Sequence, residues 1–87
     1  MPYVEIYIKA FCPYCARAKA LLDRKGIAYD EHDITMGGPQ RAEMVTRADG
    51  ASTVPQVFIG STHVGGSDDL AAADRSGELD RMLAAAA

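Results

Sequence analysis

Two cysteines three residues apart carry the strongest chemical signal in this sequence, in the segment Cys12-Pro13-Tyr14-Cys15. Pro13 suits the first position of a helix, because its missing N–H would be unpaired there anyway. A helix N-terminus presents free N–H groups and the positive end of the helix dipole, and both favour an anion. The segment therefore predicts a thiolate at Cys12, and the thiolate is the nucleophilic form of cysteine.

The spacing of the pair suits a second chemical step. Residues i and i+3 on a first helical turn lie about 5–6 Å apart, within the Cα separation that a disulfide accepts. We expect Cys12 to attack a disulfide, and Cys15 to release the mixed disulfide. Cys15 lies one turn inside the helix and should be more buried and less acidic. Lys9, three residues upstream of Cys12, would add positive charge nearby.

A zinc site and a purely structural disulfide are the alternatives for this pair. Zinc normally takes four ligands, whereas the sequence has no second cysteine pair, and its two histidines, His32 and His63, fall on separate predicted strands. A ring of four residues constrains the unfolded chain little. Redox or sulfur chemistry is therefore the favoured interpretation.

The segment Thr53-Val54-Pro55 precedes a predicted strand and could bind a peptide-like ligand. A cis Val54–Pro55 bond would turn the backbone N–H and C=O of Val54 outward, although cis bonds are uncommon even before proline. An extended peptide could then pair with Val54 as an extra strand does. The alternative is a proline that only shapes the loop.

The segment Gly65-Gly66-Ser67-Asp68-Asp69 is the second candidate for binding. The glycines allow close backbone approach, and the helix start offers N–H donors to a carboxylate. Asp68 could bind an ammonium group. Together these groups fit a zwitterionic amino-acid head, such as the γ-glutamyl end of glutathione. The alternative is that Ser67, as N-cap, and Asp68 only cap the helix.

The elements that must position these segments follow from the apolar pattern, which predicts the order β-α-β-α-β-β-α-α. The βαβ start requires a parallel pair and the late hairpin adds an antiparallel pair, so we expect an α/β fold with a four-stranded mixed sheet flanked by helices. The expected elements are a strand with Val4, Ile6 and Ile8; a helix from Pro13 with Tyr14, Ala18, Leu21 and Leu22 on its apolar face and Gly26 as C-cap; a strand in Ile27–Ile34 near a sheet edge; a helix from Pro39 to about Ala48 with Ala42, Val45 and Ala48 facing in; strands Gln56–Ile59 and Thr62–Val64; a helix from Ser67 through Leu70 and Ala73; and a last helix with Leu79, Met82 and Leu83.

Three aromatic residues need separate interpretation. Tyr3 and Tyr7 are expected to pack. Phe11, beside the first thiol, is expected in the core with the other apolar residues, and its alternative is an exposed contact for a partner.

Composition bounds the function classes. The 87 residues suffice for one domain, 1–87. Nine Lys and Arg against 12 Asp and Glu give a net charge of -3, which disfavours nucleic-acid binding. No apolar run approaches the roughly 20 residues that span a bilayer. The N-terminus has no secretory pattern, and two close cysteines fit a reducing compartment, so the expected location is the cytoplasm.

Taken together, the CPYC segment, Thr53-Val54-Pro55 and Gly65-Gly66 with Asp68-Asp69 resemble a dithiol glutaredoxin over essentially the whole chain. The resemblance implies a thioredoxin fold with Pro55 cis. It also implies Cys12 as nucleophile and Cys15 as resolving thiol. The glutathione-binding residues that it implies are Lys9, Tyr14, Thr53, Val54, Pro55, Gly66, Ser67 and Asp68. Lys9 would meet the glycyl carboxylate, and its alternative is a solvated loop lysine. Gln56 and Arg47 are weaker candidates for the same carboxylate.

The activity that the resemblance implies is glutathione-dependent reduction of protein disulfides and glutathione mixed disulfides. Glutathione would be the co-substrate, no metal is expected, and the chain is expected to be a monomer acting on disulfide-containing or glutathionylated proteins, with ribonucleotide reductase as a candidate partner. One alternative is a dimer that carries a [2Fe–2S] cluster through two Cys12 and two glutathiones, which Pro13 disfavours by stiffening the loop. The other is a glutaredoxin-like redoxin reduced by thioredoxin reductase and serving ribonucleotide reductase, which the Gly65-Gly66-Ser67-Asp68 segment disfavours because that class has little need for a glutathione pocket.

Overall fold

The structure is a computed structural model that describes residues 3–86. Its elements are β1 (Val4–Ile8), α1 (Pro13–Arg24), β2 (Asp30–Asp33), α2 (Pro39–Arg47), β3 (Gln56–Ile59), β4 (Thr62–Gly65), α3 (Ser67–Ser76) and α4 (Glu78–Ala86). The predicted order of strands and helices is confirmed. Among the described residues, no helix is long and apolar enough to cross a membrane.

The four strands form one mixed sheet in the order β2-β1-β3-β4. β1 pairs with β2 in parallel and with β3 antiparallel, and β3 and β4 form the expected hairpin. β1 is central, and all five of its residues are buried, because helices cover the sheet on both faces. The expected edge position of the polar strand β2 is confirmed, although the strand covers only Asp30–Asp33 of the predicted segment Ile27–Ile34.

The two faces of the sheet carry different cores. The face that we call the thiol face packs alternate residues of β1 and β3 against α1, α3 and α4. Its main buried residues are Val4, Ile6, Ile8, Cys15, Ala18, Leu22, Val57, Ile59, Leu70 and Leu79. The opposite face, which we call the α2 face, packs Tyr7, Ile34, Met44, Ala48 and Phe58. Successive residues of a strand point to opposite faces, so both cores use the same two central strands.

Several expectations about packing are wrong. Tyr14 and Tyr3 are about half exposed, at 54% and 53%, whereas Tyr7 is buried as expected. In α2, Ala42 is exposed and Met44 is fully buried instead, because the helix lies on the sheet through a narrow stripe around Met44 and Ala48.

The end of α1 follows the predicted glycine signal with a shift of one residue. The C-cap is Lys25 rather than Gly26. Gly26 follows it with φ 68°, and the next N–H, of Ile27, donates to the carbonyl of Leu22 at 3.0 Å. A left-handed residue just past the helix end is a common place for glycine.

Candidate active site

The cysteine pair lies at the start of α1, as predicted. Cys12 is the N-cap in extended backbone, Pro13 is the first helical residue, and the two cysteines form a disulfide with a Cα–Cα distance of 5.2 Å. The sulfur of Cys12 accepts a hydrogen bond from the N–H of Cys15 at 3.1 Å. Cys12 Sγ therefore occupies the position from which an N-cap side chain satisfies the free N–H groups of a helix.

The two sulfur-bearing side chains differ in exposure, as expected. Cys12 is half-buried at the surface, whereas Cys15 is only 2% exposed and belongs to the thiol-face core. Access from solvent therefore favours Cys12 for the first attack on a disulfide. The buried position of Cys15 suits a thiol that reacts only with its neighbour.

A cavity of about 220 Å³ lies beside the pair, and we call it the cis-proline cavity. The Val54–Pro55 bond is cis, as the resemblance implied. The cavity is lined by Tyr14, Thr53, Val54, Pro55, Gly66, Ser67, Asp68 and Asp69. Three segments that are distant in sequence thus meet here, and they include seven of the eight residues expected to bind glutathione.

The eighth expected residue, Lys9, lines a different cavity. This second cavity, of about 500 Å³, also includes Phe11, Cys12, Cys15 and Asp33, and we call it the thiol cavity. Phe11 is fully exposed there, at 103%, so its expected core position is wrong and the alternative of an exposed side chain is what the structure shows. Both cysteines line the thiol cavity, and Tyr14, which lies between them in the sequence, lines the cis-proline cavity.

The start of α3 differs from the expectation by one residue. The N-cap is Gly66, not Ser67, and Ser67 is the first helical residue. Gly66 accepts the first helical bond, from the N–H of Leu70 at 2.9 Å, but it has no side chain to cap the first turn. The N–H groups of Asp68 and Asp69 are the ones that an N-cap side chain would normally occupy. No N-cap side chain bonds to them, and Ser67, Asp68 and Asp69 at this helix start line the cis-proline cavity.

Asp69 shapes this helix start, and sequence reasoning gave it no role of its own. Its carboxylate accepts from the N–H of Gly66 at 3.1 Å. Gly65 has φ 118°, and a Cβ at Gly65 would collide with the Asp69 carboxylate. An acidic residue three positions after the N-cap is the sequence signal that could have indicated this contact.

The two weaker candidates for the glycyl carboxylate, Arg47 and Gln56, are engaged elsewhere. The Arg47 guanidinium donates to the Glu5 carboxylate and to the Tyr7 hydroxyl, both at 2.9 Å. Gln56 is only 4% exposed, and its amide donates to the Thr53 hydroxyl at 3.2 Å. Gln56 therefore does not line the cis-proline cavity itself, but it contacts Thr53, which does.

Glu5 is a buried carboxylate on the central strand, and hydrogen bonds from neighbouring side chains stabilise its charged form. Burial works against the charged form, but hydrogen bonds from Arg47 and His32 outweigh it, so the pKa of Glu5 lies below its ordinary 4.5. His32 lies 3.0 Å from the same carboxyl group. This cluster stabilises the α2 face and lies away from the thiols.

Within residues 3–86, no group of three or more His, Cys, Asp or Glu side chains is arranged to hold a metal ion. The chemistry that these residues can perform on their own is that of the thiol pair. The chain therefore presents a reactive disulfide, a cavity beside it lined by the cis-proline, and an open helix start facing that cavity.

Comparison with known proteins agrees with this geometry. The family model for Glutaredoxin matches residues 4–64. The chain is 53% identical over 85 residues to a glutaredoxin of Pseudomonas aeruginosa strain PAO1, which covers 98% of this chain and 100% of the relative. The solution structure of glutaredoxin from Brucella melitensis is similar at a TM-score of 0.81 and 54% identity, covering 95% of this chain and 89% of that one. A crystal structure of a buckwheat glutaredoxin–glutathione complex is similar at a TM-score of 0.84 and 32% identity, covering 98% and 79%.

The thioredoxin-like fold and the cysteine pair at a helix start define a redox protein of the thioredoxin-fold class. Within that class, the chain belongs to the glutaredoxin family. The resemblance drawn from the three sequence segments is confirmed.

Proposed function

We propose that this chain is a glutathione-dependent thiol–disulfide oxidoreductase that reduces both glutathione mixed disulfides and protein disulfides. The observation that carries the proposal is the placement of a half-buried N-cap cysteine beside the cis-proline cavity. The similarity to a glutaredoxin solved with glutathione supports glutathione as the ligand of that cavity.

The reduction of a glutathione mixed disulfide needs only Cys12. Its thiolate attacks the glutathione sulfur, a Cys12–glutathione disulfide forms, and the target protein leaves as a thiolate that takes a proton from water. The thiolate of a second glutathione then attacks the glutathione sulfur bound to Cys12. Oxidised glutathione is released and the Cys12 thiolate is restored, so two electrons pass from glutathione to the target.

The reduction of a protein disulfide needs both cysteines. Cys12 attacks one sulfur of the target and forms a mixed disulfide with it. Cys15 then attacks the Cys12 sulfur, which releases the target as a dithiol and leaves the Cys12–Cys15 disulfide. This is the bond present in the structure. Two glutathiones return the pair to the dithiol and leave as oxidised glutathione.

The proposed contacts with glutathione follow the three segments of the cis-proline cavity. The backbone N–H and C=O of Val54 pair with the cysteinyl residue of glutathione, as in strand addition. Tyr14 packs beside the tripeptide, and Thr53 and Pro55 shape the wall against which it lies. Gly66, Ser67 and Asp68 receive the γ-glutamyl end at the open start of α3. Lys9 meets the glycyl carboxylate from the thiol cavity.

A coupled assay tests this function. A glutathionylated peptide and, separately, a protein disulfide are offered with glutathione, glutathione reductase and NADPH. We expect Cys12→Ser to abolish both activities and Cys15→Ser to keep the first activity and lose the second. Equal loss of both activities in Cys15→Ser would contradict the proposed division of labour.

The same purified protein separates the alternatives. We propose a monomer in the cytoplasm, acting on disulfide-containing or glutathionylated proteins, with ribonucleotide reductase as one candidate. A brown, iron-containing dimer would instead indicate a [2Fe–2S] carrier. Reduction by thioredoxin reductase but not by glutathione would indicate the other class of redoxin.

A further inference from the structure

A buried amide links the hairpin to the cis-proline cavity. Gln56 follows Pro55 directly, and its side chain is almost fully buried. The amide nitrogen donates to the Thr53 hydroxyl at 3.2 Å, and the amide oxygen lies 2.6 Å from Nε2 of His63. Because the nitrogen is committed to Thr53, the oxygen is the acceptor, and His63 Nε2 carries the hydrogen.

The His63 ring is held in place from a second side. His63 is paired with Phe58 across the β3–β4 hairpin, and the two rings are stacked with centroids 4.9 Å apart. An irregularity in the register lies between this pair and the next, Val57 with Gly65. The extra residue, Val64, belongs to β4, and such a bulge re-aims neighbouring side chains. Since His63 shares a face with Phe58, its ring can reach diagonally to Gln56.

We propose that His63 is a positioning residue for the ligand of the cis-proline cavity. It lies outside the lining of that cavity and acts through Gln56, whose orientation it fixes. Gln56 in turn fixes the Thr53 side chain and the Thr53–Pro55 segment. This proposal rests on the proposed function, because the ligand in question is glutathione.

The energetic reason is the cost of an unpaired buried polar group. Without the His63 donor, the Gln56 oxygen is buried with no partner, and the amide gains by rotating to find another. Rotation removes the hydrogen bond to Thr53 and frees the Thr53 rotamer. The binding site for glutathione then becomes less ordered. The thiols lie at the start of α1, outside this chain of contacts, so their chemistry is unchanged.

A double-mutant cycle tests the link. His63→Phe keeps an aromatic ring over Phe58 but removes the donor, and Thr53→Val removes the hydroxyl with little change of shape. We expect each variant to raise the KM for a glutathionylated peptide about threefold to tenfold, as for the loss of one hydrogen bond, with kcat within about twofold. The double variant should be no worse than the more impaired single variant. If the two fold-changes multiply, the residues act independently and the proposal is wrong.

Two further variants control for stability and chemistry. His32→Phe places the same substitution at the other histidine, which contacts Glu5 and not Gln56. It should leave KM unchanged even where it lowers the melting temperature. His63→Gln supplies an amide donor and should bring KM back toward the wild-type value. A KM as high as in His63→Phe would count against the donor role.

A measurement without glutathione separates this proposal from the proposed function. Three-bond scalar couplings in NMR report whether the Thr53 side chain occupies one rotamer. We expect one rotamer in the wild-type protein and averaged couplings in His63→Phe. Unchanged couplings would overturn the positioning role even if the enzyme uses glutathione. If the wild-type protein fails to turn over with glutathione, the proposed function fails, and the couplings still decide whether His63 orders Thr53.

Discussion

The two helix starts at the site, those of α1 and α3, differ in whether a side chain caps their free N–H groups. At α1, the N-cap residue Cys12 places its own sulfur on the N–H of Cys15. At α3, the N-cap is Gly66, which has no side chain, and Ser67 follows as the first helical residue. One helix start is therefore closed by a group of the chain, whereas the other is left open toward the cis-proline cavity.

The difference assigns the two halves of the proposed reaction. A sulfur at the closed helix start gains stabilisation as an anion from the N–H groups and the helix dipole, which suits a nucleophile. An open helix start offers the same stabilisation to an anion that comes from outside, such as a ligand carboxylate. In the proposed function, the same backbone feature thus supports the chemistry in one place and ligand binding in the other.

The glycines before α3 are the part of the sequence on which the open helix start depends. Gly65 takes a backbone conformation that L side chains rarely adopt, and Gly66 keeps the N-cap bare. Asp69 holds the N–H of Gly66 and so fixes the turn from β4 into the helix. Substitutions at these positions should therefore close or displace the open helix start, whereas substitutions far from them should leave it unchanged.

The largest effect is expected from Gly65→Ala. A Cβ at this φ would be strained, and it would also displace the Asp69 carboxylate, so we expect a loss of about 1–3 kcal/mol in the free energy of unfolding. Glutathione binding should weaken at the same time, because the helix start moves with Asp69. Urea unfolding measures the first quantity, and the KM for a glutathionylated peptide reports the second. The double variant Gly65→Ala with Asp69→Ala removes the collision but not the strain. The single variant Asp69→Ala completes the comparison. If the losses in the free energy of unfolding of the two single variants simply add in the double variant, the collision plays no part.

A smaller and more selective effect is expected from Gly66→Ser. The backbone of Gly66 is extended, and an added Cβ would meet only the Pro55 carbonyl oxygen at an ordinary 3.5 Å, so serine fits. Its hydroxyl would cap the first turn, which stabilises the helix by a few tenths of a kcal/mol. The same hydroxyl would compete with the ligand, and we expect the KM for a glutathionylated peptide to rise about threefold.

Gly66→Ala is the matched control for this closure of the helix start. Alanine adds the same Cβ without an acceptor, so the protein should lose a little stability, and any effect of the Cβ itself on the KM is present in both variants. The KM of the serine variant should therefore be the higher of the two. Equal KM values in the serine and alanine variants would mean that the N–H groups of the first turn do not receive the ligand.

The two helix starts differ in how well the sequence predicts them. The closed helix start was predictable, because a proline at the first helical position and cysteines at i and i+3 are local signals around Pro13. For the open helix start, the sequence predicts Ser67 as the N-cap, one residue too late, because serine is the better N-cap by local preference. The contact from Asp69 and the continuation of β4 through Gly65 move the helix start, and the register of a strand is a long-range property.

Long-range packing explains the other differences. Ala42 is expected to face the core but is exposed, and Met44 is buried instead. The rotation of α2 about its axis depends on the side chains of the sheet beneath it. Lys9 is close to Cys12 in sequence, but whether it faces the cis-proline cavity or the thiol cavity depends on the path of the loop. A pattern of apolar residues gives the existence of a helix, and it does not give the exact stripe that the sheet covers.

The smallest effect on the site is expected from Glu5→Gln, since Glu5 lies on the α2 face away from both helix starts. The pKa of Glu5 is lowered in the folded protein, because hydrogen bonds from Arg47 and His32 outweigh the effect of burial. A lowered pKa means that Glu5 contributes stability above its ordinary 4.5 and that this contribution is lost as the pH falls through the folded value. Glu5→Gln should therefore be less stable than the wild-type chain near neutral pH, and its stability should fall less steeply below about pH 4.5. Urea unfolding across that range measures the slope. The KM and kcat near neutral pH should not change, and parallel stability curves for the two proteins would show that the Glu5 carboxylate is not held in its charged form by the fold.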